Sequence, residues 1–131
     1  MPEKWIIATN GTKYASEAVK YAAHLYKELK ANPEINILVV AIDESGSDGA
    51  KAILEMAKYT FEDIAGTELP LTAMLETGEP GKVIAEQMEK LKGDHLFIGG
   101  ADFKWDINVD GPGGVSNYLI ENVSGRITLI K

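Results

Sequence analysis

Cysteine is absent from the 131 residues. That one absence excludes a disulfide framework, a thiolate metal site and a cysteine nucleophile. Basic residues are also scarce, with 13 Lys and Arg against 20 Asp and Glu, a formal charge of −7. Such a chain repels polyanions at long range, so neither nucleic acid nor an anionic membrane surface is an expected partner. Long apolar runs are missing too. The longest, Ile35 to Ile42, is strand-length and interrupted by Asn36, whereas a bilayer span needs ~20 residues. The first residues turn polar too early for a secretory signal, and the expected location is cytoplasmic. Histidine occurs only as His24 and His95. No H-x-x-x-H pair and no grouping of Ser, His and Asp on the loops suggests catalysis, so no enzyme is expected.

What is present suits one compact domain spanning 1–131. Hydrophobic residues make up 45% and charged residues 25%, enough apolar material for a core. Lys4 to Thr9 reads as a buried strand leaving through the turn Asn10-Gly11-Thr12. From Ser16 to Leu29, apolar residues recur every three or four positions, which predicts an amphipathic helix ended by Asn32-Pro33. Ile35 to Ile42 is nearly continuous and branched, as in a central strand covered on both faces. Asp43 to Gly49 is polar and loop-like, and a second helix follows from Ala50 to Gly66. Leu69 to Thr77 alternates only partly, predicting an edge strand. A third helix through Val83, Ile84, Met88 and Leu91 leads to a strand at His95 to Ile98. After a long loop, a short helix through Val115 and Leu119 precedes a last strand, Ile127 to Ile130.

Five strands alternating with four helices predict an α/β fold, an open doubly wound parallel sheet with helices on both faces. In such sheets ligands bind outside the carboxyl ends of the strands, which directs attention to the loops after the first and fourth strands. Gly99 to Ser116 leads from a strand to a helix and ends rich in glycine. Unpaired amides at Gly113, Gly114 and Val115, with the Ser116 hydroxyl, would receive a phosphate. The alternative is a tight turn in which Ser116 caps the helix. Within this loop, Asp106-Ile107-Asn108-Val109-Asp110-Gly111 fits the D-x-[DN]-x-[DN]-G pattern of a calcium loop, making Asp106, Asn108 and Asp110 candidate metal ligands. Its twelfth position is Asn117 where a bidentate Glu is wanted, and a solvated turn is the alternative.

Four stretches together resemble the universal stress protein family over essentially the whole chain. Ile6 to Thr12 is similar to the family's first strand and its ATDGS-type turn, and Val39 to Asp43 to the end of its second strand. Gly78-Glu79-Pro80 resembles the family's G-x-P start of the third helix. Gly99, with Gly113 to Asn117, resembles the two ends of a loop that in ATP-binding members reads G-x2-G-x9-G-(S/T). The resemblance implies a non-enzymatic homodimer paired through the C-terminal edge strand. It also implies an adenine nucleotide such as ATP, which Mg would have to bridge to the acidic loop, while Ca is the ion that the Asp106 to Gly111 pattern would take. Thr9, Asn10, Ile42, Gly99, Gly113, Gly114, Val115 and Ser116 would then form the site, with adenine near Ile42 and phosphates at the glycine amides.

The departures from the pattern weigh on that implication. Asn10 stands where the family has Asp, Asp102 where it has the second loop glycine, and Gly114 where it has Ser or Thr; the loop is one residue longer. Asp102, Asp106 and Asp110 against Lys104 leave it two net negative charges, which oppose a polyphosphate. A dimeric interaction protein that binds no nucleotide is the competing reading. A receiver domain would need acids after the first strand and an Asp ending the third, where Asn10 and Thr77 stand. Trp5 is expected in the core and Trp105 as a lid over the cleft or the sheet edge.

Overall fold

The computed structural model describes residues 2–29, 32–99 and 114–130. The elements in chain order are β1 (Lys4–Ala8), α1 (Lys13–Glu28), β2 (Glu34–Ala41), a 3-10 turn (Glu44–Gly46), α2 (Ser47–Ala65), β3 (Leu71–Thr77), α3 (Pro80–Leu91), β4 (His95–Gly99), α4 (Gly114–Asn122) and β5 (Arg126–Ile130). All strand pairs are parallel and the sheet order is β3-β2-β1-β4-β5. The predicted α/β architecture is therefore the observed one, with β3 and β5 at the edges. Among the described residues no helix is long and apolar enough to cross a membrane.

Strand alternation sorts the core into two layers. Trp5 and Ile7 of β1 and Ile35, Ile37 and Val39 of β2 pack with α1 and α2, around Val19, Leu54 and Phe61. Ile6, Ala8, Leu38 and Val40 point the other way, to Ile84 and Met88 of α3 and Val115 and Leu119 of α4. A period of two on the strands against 3.6 on the helices produces this division. Trp5 lies in the core as expected, 1% exposed and 4.9 Å from Phe97 between ring centroids. Asn36, buried in β2, satisfies its amide by donating from Nδ2 to the Trp5 carbonyl at 3.2 Å.

Three helix starts precede the positions that apolar spacing predicts. The α1 helix begins at Lys13, directly after a turn in which Gly11 takes a left-handed φ of +81°. Its first residues carry little of the apolar pattern. In place of the expected loop over Asp43 to Gly49, Asp43 nucleates the 3-10 turn by accepting from the Ser45 hydroxyl and the Gly46 amide, and α2 opens at Ser47. Pro80 is the first residue of α3, a position where its fixed φ suits the helix and its missing N–H costs nothing.

Candidate functional site

Strand order reverses between β1 and β4, since β2 and β3 lie to one side of β1 and β4 and β5 to the other. The carboxyl ends here are where an open α/β sheet receives ligands. An open cleft of about 430 Å³ lies on this side of the sheet. Val39 to Asp43 at the end of β2 form one wall, with Asn10 after β1, Gly46, Ala50 and Ile53 at the start of α2, and Pro80 of α3. Ile42 is 65% exposed there, an isoleucine left uncovered by the fold.

The cleft is apolar with a polar rim. Asn10 Oδ1 accepts from the Thr12 amide at 3.1 Å and the Thr12 hydroxyl at 2.7 Å, an Asx turn that fixes the entry to α1. Among the described residues the amide NH₂ of Asn10 is left to donate. The Ser45 hydroxyl, and after it the Gly46 amide, hold the Asp43 carboxyl below the usual carboxylate range, so it stays ionised at neutral pH. No Lys or Arg lines the cleft among the described residues.

Other candidate residues fall nearby or serve the frame. Thr9 is buried, with its N–H donating to the Leu38 carbonyl at 3.0 Å and Oγ1 accepting from the Gly11 amide at 3.2 Å. It lines a neighbouring cavity between α1 and α2, apart from the residues lining the cleft. Gly99 ends β4 against the first turn of α1, where a Cβ would stand 2.3 Å from the Ala15 nitrogen. Close backbone approach therefore accounts for this glycine.

Gly114, Val115 and Ser116 form the first turn of α4, whose N–H groups have no partners within the helix. Val115 shares a core layer with Ala8 and Val40, residues near the carboxyl ends of β1 and β2. This places the positive end of the helix dipole on the ligand side of the sheet. Ser116 is 5% exposed, and its Oγ has no hydrogen-bond partner among the described residues. A buried hydroxyl without a partner costs about 1–3 kcal/mol, which an incoming acceptor would recover. Gly113, the candidate metal ligands Asp106, Asn108 and Asp110, and Trp105 lie outside the described residues. Among the described residues no three His, Asp or Glu side chains group as a metal site.

Sequence reading missed Asp43, Gly46, Ala50, Ile53 and Pro80 as cleft residues. They come from the end of one strand and the starts of two helices, and converge only once β2 and β3 pair. Pro80 was visible as a helix start, and the polar Asp43-Glu44-Ser45 following a buried strand was the available signal for a rim.

The fold is that of solved universal stress proteins. The chain is similar in structure to a universal stress protein solved in complex with cAMP, with a TM-score of 0.78 and 17% identity over 98% of this chain and 96% of that one. It is similar to the universal stress protein from Archaeoglobus fulgidus in complex with dAMP, at 0.76 and 14% over 98% of each chain. A universal stress protein family protein from Arabidopsis thaliana with AMP bound matches at 0.72 and 17%, over 99% of this chain and 92% of that one. No family model and no curated protein matches the sequence.

Proposed function

We propose that the chain is a universal stress protein whose cleft binds an adenine nucleotide, with no catalytic step of its own. The observation that carries this reading is the pairing of an apolar slot exposing Ile42 with a helix start that holds a buried Ser116 hydroxyl, without a partner among the described residues, on the same side of the sheet. The adenine ring would occupy the slot lined by Val40, Ile42 and Pro80, with the Asn10 amide on the same lining. The phosphate goes to the amides of Gly114 to Ser116 and to Ser116 Oγ. The net negative charge of the sequence 102–110 and the lack of Lys or Arg in the described lining favour AMP over ATP. The cAMP, AMP and dAMP in the neighbours above support the ligand class.

The same reading makes the chain a cytoplasmic homodimer. β5 is an open edge with Leu129 37% exposed, and an unpaired edge is protected by pairing with a second copy.

Calorimetry of the full chain with AMP, then with MgATP, tests the proposal. The expected result is saturable heat with AMP, weakened at least tenfold by Ile42→Asp, and weaker binding of MgATP. Absence of heat with both nucleotides would overturn it and leave the interaction-protein reading. CaCl₂ in the same cell tests Asp106, Asn108 and Asp110 as a metal loop. Sedimentation tests the dimer: a mass near the 14.2 kDa of one chain at micromolar concentration would count against it.

A further inference from the structure

Beside the cleft, between α1 and α2, lies a separate cavity of about 250 Å³. Val19, Ile53, Met56 and Ala57 supply its apolar walls, and Thr9, Ser16 and Thr60 its polar side chains; among the described residues no charged one lines it. Two of those hydroxyls are engaged. Thr60 donates to the Met56 carbonyl at 2.9 Å, and Thr9 Oγ1 accepts from the Gly11 amide. The cavity opens to solvent beside the exposed Met56, and small residues, Gly11, Ser16, Ala52 and Ala57, stand at its facing positions and leave its volume free. Met56, 67% exposed, borders the cavity with a flexible, polarizable side chain that suits an adaptable entrance.

Ile53 belongs to both cavity and cleft. Gly11 sits against it, its Cβ position 3.1 Å from Ile53 Cγ1, in the same turn that presents Asn10 to the cleft. Anything lodged between α1 and α2 therefore packs against a side chain that is also a cleft wall. We propose that the α1–α2 cavity is a second ligand site, taking a small uncharged apolar molecule with at most one or two hydrogen-bonding groups, and that it acts on the cleft through Ile53. The proposal stands independently of what the cleft binds.

Benzene is the probe, titrated into full-length protein carrying ¹³C-labelled Ile δ1 and Met ε methyl groups. Expected are saturable shifts of Ile53 and Met56 with one midpoint, a response of Ile42 at that same midpoint, and no change at Ile84 and Met88 on the other face of the sheet. Ala57→Leu fills the cavity and Ala52→Phe obstructs it from the exposed side. Either variant, once unchanged Ile84 and Met88 signals show that it folds, should weaken every shift at least tenfold. No saturable shift, or shifts that persist in the filled variants, would overturn the site. A silent Ile42 would overturn the coupling. Nucleotide calorimetry does not enter this readout, so failure of the nucleotide reading is distinguishable from failure of this one.

Discussion

Gly99 and Ala15 meet backbone to backbone: a methyl group on Gly99 would lie 2.3 Å from the Ala15 nitrogen and 2.6 Å from its Cα. Neither neighbour is a flexible side-chain end, so β4 and α1 must separate to admit any substitution. Gly99→Ala should destabilise the protein by about 3 kcal/mol or more, at the upper end of overpacking costs. The urea midpoint checks this, and a variant within 1 kcal/mol of the parent would contradict the packing described.

Asn10 acts as an acceptor at the entry to α1, and Asp provides the same oxygen. Asn10→Asp should leave stability within about 0.5 kcal/mol, while Asn10→Ala, which loses both bonds from Thr12, should cost about 1 kcal/mol. Thermal unfolding of the two variants side by side separates the acceptor from the charge.

Ser116 separates stability from binding. Its hydroxyl is buried and has no partner among the described residues; removing it relieves its desolvation, so Ser116→Ala should raise stability by about 1 kcal/mol. The same change should weaken AMP several-fold. A loss of stability would show that the hydroxyl is satisfied by the protein itself.

Acid should act first at the opposite end of the sheet. Burial, and then the Arg126 charge, pull His95 below its ordinary value of 6.5, against a smaller opposing effect of Glu3. The unfolded chain thus takes up this proton at a higher pH than the folded one, and stability declines as pH falls below about 6.5. Hydrogen bonds from Arg126 and then Trp5 hold Glu3 below 4.5, so its stabilising contribution is lost at lower pH, as the carboxylate protonates. His95→Gln should flatten the first decline and leave the second. Urea unfolding between pH 2 and pH 8 measures both.

Much of the fold is legible because the strands state their periods plainly. Ile35 to Ile42 could only be a doubly covered strand, and the partial alternation of Leu71 to Thr77 reads as an edge, where the sheet order puts it. Helix starts are less legible because the first turn of a helix is held by caps and turns rather than by apolar spacing. Lys13, Ser47 and Pro80 all begin helices in segments whose composition is that of a loop. For the site, Asn10 was readable as a strand exit, and Ile42 only through the family resemblance. Ile53 was not, since it lies seven residues into α2 and reaches the cleft only because the Gly11 turn leaves it room.

The amide of Asn36 has a consequence for the far end of the sheet. If β2 slid by one residue, that amide would turn toward the aliphatic layer under α1 and α2; if it slid by two, the Trp5 carbonyl would be out of range. One alignment alone satisfies it, the one that sets Ala8 beside Leu38. A polar group near the origin of both strands thereby gauges how far each extends, and so holds Asn10 and Ile42 at matched heights where they emerge.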